Sequence, residues 1–330
     1  MAEFLTFDTD LTAVANAIRA KGGTSAQLIY PNGFVSAIQA IQTGITPKLV
    51  ITTAPGASIT ATPAEGFKVV KGTAGTDGMC TLELPKAGTW NVTAMANSVS
   101  NSQHIVIGTQ SMLLPLYHDS FADNTWEEII AVCRTGIAPD SWAVGDSKTM
   151  NIGGTAYQVD IIGKNHDEYA DGSGTAPLTF QLHDCYSEAK QMYDTDLSGL
   201  GWKNTDMRLT YLPAILALMP AEVKNGIHAV NKKTSGGGNS TTIETVSDTL
   251  FLLSEVEVFG TNHSSVPGEG IQYDYYKAGN PKIKKREGVD EFWWERSSAS
   301  GGMFCRVRDN GQAGASKASS SLGVSFAFCF

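Results

Sequence analysis

Long apolar runs are missing from this 330-residue chain. No stretch approaches the roughly 20 apolar residues that a helix needs to cross a bilayer, so membrane insertion is not expected. Basic charge is also scarce. The 24 Lys and Arg stand against 33 Asp and Glu, a net charge of −9. That balance favours solubility and speaks against a general nucleic-acid binder, which needs a basic stripe to displace counterions. The 12 Pro and 34 Gly show no collagen-like period and no long low-complexity run. The first residues, Met-Ala-Glu-Phe-Leu-Thr-Phe-Asp, lack the basic and apolar regions of a secretory signal, which predicts synthesis in a cytoplasm.

Catalytic signatures are absent too. There is no GxSxG, no P-loop and no GxGxxG at a strand-to-helix turn. His104, His118, His166, His183, His228 and His263 are isolated, with no HxxxH or HExxH spacing. The five cysteines (Cys80, Cys133, Cys185, Cys305 and Cys329) are scattered and odd in number, without a CxxC pair. They read as small buried residues of a reducing compartment. Cys305 and Cys329 would pair only if their strands were adjacent. No enzyme and no cofactor is expected. One loop, Asn165 to Gly174, gathers Asp167, Glu168 and Asp171, a candidate oxygen set for Ca²⁺ without the alternation of an EF-hand. A solvated acidic loop is the preferred reading, with Ca²⁺ as the alternative.

What is present divides the chain in three. Residues 1–45 read as two short helices, one with Leu11, Val14, Ala15 and Ile18 on an apolar face, the next with Phe34, Ile38 and Ile41. Residues 46–115 change period. Short β-rich runs at 48–52, 58–62, 68–70, 81–84, 89–94 and 104–107 are separated by turns such as Thr76-Asp77-Gly78. About seven strands in some seventy residues fit a small sandwich. Residues 116–330 mix strands with helices. Asn124 is expected to cap a helix from Thr125 to Arg134, and Leu212–Met219 to form another between prolines. Thr234–Ser240 reads as a flexible loop and Leu250–Leu253 as a buried strand. Two Trp, Trp293 and Trp294, alternate on a strand with Arg296 on the Trp294 side, where a buried carboxylate or carbonyls would hold it.

Residues 1–41 resemble N-terminal segments of phage and prophage tail-module proteins, which implies an attachment or oligomerisation role. The stretch from Gly75 to Ala94 resembles immunoglobulin-like and transthyretin-like spacer domains of surface and phage proteins. Four landmarks follow in order: Gly201-Trp-Lys-Asn-Thr-Asp-Met-Arg208, Leu250-Phe-Leu-Leu-Ser-Glu-Val-Glu-Val-Phe-Gly260, Phe292-Trp-Trp-Glu-Arg-Ser297 and Leu322-Gly-Val-Ser-Phe-Ala-Phe-Cys-Phe330. Together they resemble a bacterial and phage domain family of C-type-lectin-like fold, related in shape to formylglycine-generating enzymes and to the variable proteins of diversity-generating retroelements. Glu295 stands where that family usually has Leu, and Ser325-Phe326 also departs from its pattern.

Residues 297–321 resemble the variable region of those retroelement-diversified proteins. The resemblance implies Ser300, Gly301, Gly302, Arg306, Arg308, Gly314, Ala315 and Ser316 as displayed, ligand-binding positions, over a fixed scaffold that includes Trp293, Trp294 and Arg296. In Cys305-Arg306-Val307-Arg308 the alternation alone puts both arginines on one exposed face, suited to carboxylate or phosphate. Tyr273, Tyr275 and Tyr276 are candidates for its aromatic part. A plain Gly/Ser-rich hairpin is the alternative.

The expected fold is therefore α+β and multidomain: a short helical N-terminus, an immunoglobulin-like β-sandwich and a C-type-lectin-like head. The expected function is receptor binding or adhesion in a phage tail or prophage-derived particle. Its partners would be a host bacterial surface protein or glycan and other tail proteins, in a homo-oligomer, a trimer by analogy with tail tips, although no heptad run is present. The alternatives are a purely structural tail or baseplate component and, third, an enzyme like the formylglycine-generating ones, served by Cys305 and Cys329.

Overall fold

The computed structural model describes residues 8–22, 27–28, 34, 46–64, 66, 68–96, 99–196, 199–238 and 240–330. The chain forms two compact units, Met1–Tyr117 and His118–Phe330.

In the first unit, α1 (Asp8–Gly22) buries Ala15 and Ile18 against Phe34, flanked by Leu11 and Leu28. The apolar stripe is narrower than expected. Leu11, Ala15 and Ile18 repeat at i, i+4 and i+7, and Val14 lies off that line and stays exposed. Phe34 is helical, and the rest of the expected second helix, with Ile38 and Ile41, falls outside the described residues.

Seven strands follow: β1 (Lys48–Thr52), β2 (Ser58–Pro63), β3 (Val70–Thr73), β4 (Met79–Glu83), β5 (Gly88–Ala96), β6 (Val99–Ile107) and β7 (Met112–Pro115). They form two sheets, ordered β4-β1-β7 and β3-β2-β5-β6. Leu49, Ile51, Ile59, Leu82, Trp90 and Val92 meet in one shared core. In β4 exposed and buried residues alternate strictly, the signature of a strand with one wet face. A constant-type immunoglobulin domain unites its first, second, fourth and fifth strands. Here the first strand joins the fourth and the seventh, pairing in parallel with the seventh, so the strand order departs from the immunoglobulin one.

The second unit is α/β and mostly strand. Its main antiparallel sheet has the order β18-β10-β9-β8, built from β8 (Ser147–Ile152), β9 (Thr155–Lys164), β10 (Leu178–Leu182) and β18 (Ala327–Cys329). Phe180 at its centre stacks on Phe121 and Phe328, with ring centroids 5.9 and 5.2 Å away, and Trp126 and Phe330 close round it edge-on. Helix α2 (Trp126–Cys133) covers this aromatic core. Its N-cap is Thr125, in a capping box with Glu128, one residue later than expected. Asn124 instead ties the preceding turn through His118, Ser120 and Phe121.

A single π-helical turn, Met207–Tyr211, leads into α3 (Leu212–Leu218), and α4 (Ala221–Gly226) follows Pro220. Strands β11 (Val230–Ser235) and β12 (Ile243–Asp248) form a hairpin, so Thr234 and Ser235 are buried strand residues rather than loop. Leu250–Leu253 is buried as expected but is not a strand. Only Phe251 bridges, to Ala327. Ser254 and Glu257 form a second capping box, which starts α5 (Glu255–Phe259) and ends the run. Beyond α6 (Asp274–Lys277) lie the hairpin β13 (Lys284–Arg286) and β14 (Val289–Glu291), then a three-stranded sheet of β15 (Trp293–Ala299), β16 (Met303–Val307) and β17 (Ala313–Lys317). No helix among the described residues is long and apolar enough to cross a membrane.

Candidate functional site

The last three landmarks hold one another, and the first is held by Asp248. Trp202 Nε1 donates to Asp248 Oδ2 at 2.8 Å and Arg208 Nε to Asp248 Oδ1 at 2.6 Å, so one buried carboxylate staples both ends of the first. The third meets the second where Arg296 N donates to Leu253 O, and meets the fourth where Trp294 N donates to Gly323 O. Trp293 and Trp294 are both fully buried, because both faces of β15 are covered. Their indole N–H groups end on main-chain carbonyls of Lys282 and Lys190.

Arg296 is fully buried and its five N–H donors all find acceptors. Two reach the Glu257 carboxylate side by side, and the others reach the carbonyls of Lys233, Leu252 and Glu269. Glu257 also accepts from Lys232 Nζ at 2.8 Å, and Lys232 continues to Asp167 Oδ1 at 2.6 Å and to Tyr273 Oη at 3.0 Å. Burial alone would raise the Asp167 carboxyl. The Lys232 and His166 charges and the hydrogen bonds from Lys232 and Thr179 together outweigh it and leave Asp167 pushed down to about 2. A cavity of about 460 Å³ opens beside this chain of ions, lined among others by His166, Asp167, Lys232 and Glu257. Its charges already neutralise one another, so it offers a ligand little uncompensated field.

The hairpin β16–β17 is different. Val307 and Cys305 turn inward, Arg306 is half-buried and Arg308 is exposed, as the alternation requires. Arg306 pairs with Gly314. A Cβ at Gly314 would lie 2.9 Å from Arg308 Nε and 3.7 Å from Arg306 Cζ, so both guanidinium groups overhang the one residue that has no side chain. Arg306 lies 4.2 Å above the Phe292 ring, and its Nη1 is buried without a hydrogen-bond partner. Burial and the neighbouring Arg308 charge hold its guanidinium below its ordinary range. Beside the hairpin tip a groove of about 470 Å³ is lined by Phe259, His263, Lys282, Arg308, Gln312 and its neighbours. Among the described residues neither Arg306, Arg308 nor Lys282 has a carboxylate within ion-pair distance.

The other displayed positions separate. Ser300, Gly301 and Gly302 form the β15–β16 turn at the opposite end of the hairpin, where Gly302 lies against the Asp196 main chain. Ser316 pairs with Phe304, on the arginine side. Ala315 pairs with Cys305, so its side chain faces away from the arginines and does not belong to their face. The tyrosines are not its aromatic part either. Tyr273, Tyr275 and Tyr276 are buried, with Tyr273 on Asp167 and Tyr276 on Gln181. Phe292 and Phe259 take that place. Sequence reading missed them, and Lys282 and His263, since only the fold brings segments about 15 to 50 residues apart to the hairpin.

The Ca²⁺ candidates do not converge. Asp167 is committed to Lys232, Tyr273 and Thr179, whereas Glu168 and Asp171 are exposed and Asp171 binds its own turn at Ser173. All five cysteines are free and buried. Cys329 packs against Thr179 and Asp167, in a different sheet from Cys305, so the two do not pair. Burial raises both thiols, the opposite of what a nucleophilic thiolate needs.

Residues 179–330 match a family described as a domain of unknown function (DUF6273), and all four landmarks lie inside that segment. No curated protein and no solved structure matches the chain.

Proposed function

We propose that this protein displays a ligand-binding face for receptor binding or adhesion, as part of a phage tail or prophage-derived particle. Residues 116–330 serve as a C-type-lectin-like head, and the sandwich before it as a spacer. The observation that carries this reading is the trio Arg306, Arg308 and Lys282. In a chain of net charge −9, Arg308 and Lys282, without acidic partners, line one groove with Phe259 and small neighbours, and Arg306 lies over Phe292 beside Arg308. Such a face suits an acidic group, carboxylate or phosphate, on a host bacterial surface. Guanidinium forks bind these groups side by side, and Phe292 presets the Arg306 plane.

The test is binding of the full chain to a panel of bacterial surfaces, beside a variant carrying Arg306→Ala and Arg308→Ala with unchanged thermal stability. The wild type is expected to bind some cells and the variant to lose at least about tenfold in affinity, the equivalent of one charge-assisted hydrogen bond or more. Equal binding by both, or binding by neither, would remove the hairpin as the site and favour a structural tail component.

A further inference from the structure

A second constellation lies deeper, under α5 and the β15–β16 pair, and the display reading does not use it. Between the pairs Trp294 with Arg306 and Ser298 with Phe304, three residues of β15 stand opposite one residue of β16. This bulge is a device that re-aims side chains. It sends Arg296 to Glu257 and leaves Glu295 beside Cys305 and Glu255, with one donor atom from each of these three within 4.8 Å of the others. All three are fully buried.

Glu255 is fixed from behind. Its carboxylate accepts from the main-chain N–H groups of His263, Ser264 and Ser265 and from the Ser265 hydroxyl, mostly at Oε2. Glu295 is the anomaly. Both of its oxygens are buried and neither has a hydrogen-bond partner among the described residues. A carboxyl placed so, aimed at a second carboxylate and a sulfur, lacks a cation that would satisfy all three.

We propose that Glu255, Glu295 and Cys305 bind a divalent transition-metal ion, with Zn²⁺ as the best-matched class. A thiolate donor selects borderline and soft metals over Ca²⁺ and Mg²⁺, which prefer all-oxygen shells. Ligand atoms around a tetrahedral Zn²⁺ lie roughly 3.5 Å apart, so the three groups must close by about 1 Å. Glu295, which nothing holds, supplies that movement. On binding, the ion forms bonds to an oxygen of each Glu and to the Cys305 sulfur, and the protons of Glu295 and Cys305 leave to solvent. The hydrogen bonds on Glu255 act as the outer shell that orients a ligand. Without the ion, burial and the nearby Glu255 and Glu269 charges push the Glu295 carboxyl well up.

The full chain, expressed with Zn²⁺ in the medium and desalted, is expected to retain about one metal ion per molecule by elemental analysis. Expressed with Co²⁺ it should show a sulfur-to-metal charge-transfer band. Glu295→Leu, which removes the unpartnered carboxyl and suits an apolar site, is expected to fold with unchanged far-ultraviolet dichroism and to retain at least about tenfold less metal, without the band. Cys305→Ser should lose the band as well. Equal metal in wild type and Glu295→Leu, or a Co²⁺ form without the sulfur band, would overturn the site and leave a protonated Glu295 as the whole account.

Discussion

At the scale of single residues, the second unit replaces solvent with other charges. Arg296 and Lys232 lie among carboxylates with almost no exposure. Ions buried in this way specify one arrangement more than they add stability, since desolvation offsets most of the attraction. A half-exposed pair shows the same logic in a form that can be titrated. His183 Nδ1 lies 2.7 Å from Asp160 Oδ2, and that hydrogen bond raises the imidazole above its ordinary value. Burial would lift Asp160, but hydrogen bonds from His183 and Ser147 leave it below the usual range. Because the folded pKa of His183 is raised, the stability it contributes is fully present below about pH 6.5, its unfolded value, and is lost as pH rises through the folded value. Asp160→Asn is expected to bring His183 back down and to remove that slope. A nuclear magnetic resonance titration of His183 that ignores the substitution would refute the assignment.

At the scale of elements, the positions that cannot change are set by main-chain approach. Gly201, which opens the first landmark, has φ +61, and a Cβ there would meet Ser235 O at 2.7 Å and Gly237 N at 2.9 Å. Backbone atoms cannot swing aside as a side chain can. Gly201→Ala is therefore expected to lower unfolding stability by about 1–3 kcal/mol. A urea titration followed by tryptophan fluorescence checks this, because five of the six Trp lie in the second unit. A change within about 0.5 kcal/mol would show that the hairpin tip yields. The elements also mark where sequence reading succeeds. Five of the sandwich strands were legible because apolar and polar residues alternate between clear turns, as at Asp77-Gly78, whereas the run at 68–70 meets β3 only at Val70 and β7 was not read. The two arginines were legible because period 2 needs no partner to be seen. Ala315 was misassigned because its side depends on register with Cys305, which alternation in one strand does not reveal. Leu250–Leu253 was misread because an apolar run has no period, although Ser254 and Glu257 two steps on spell a helix start. A buried carboxylate and carbonyls around Arg296 were expected and are found, but that Glu257, Lys232 and Asp167 supply the network was beyond reach, since its members are up to about 130 residues apart.

At the scale of the whole molecule, the hairpin is a cationic spot on an acidic body, and salt should act on the two differently. In about 0.01 M salt charges are felt across roughly 30 Å, so the net −9 repels an acidic ligand before it reaches the groove. At about 0.15 M the range falls to roughly 8 Å, which hides the body but not the guanidinium groups in contact. At about 1 M even the contacts weaken. Retention of the full chain on an immobilised acidic glycan is thus expected to be greatest at intermediate salt. A steady rise up to 1 M would instead mark an apolar contact, carried by Phe259 and Phe292.

The indoles of Trp293 and Trp294 and the guanidinium of Arg296 end on main-chain carbonyls of Lys190, Lys233, Leu252, Glu269 and Lys282, and on Glu257. None of these acceptors is a side chain of residues 300–317. A carbonyl survives every substitution at its own position, so these bonds do not depend on which side chains the hairpin carries. Exposed hairpin positions such as Arg308 can therefore change without touching these bonds, whereas Phe304, Cys305 and Val307 remain bound to the core.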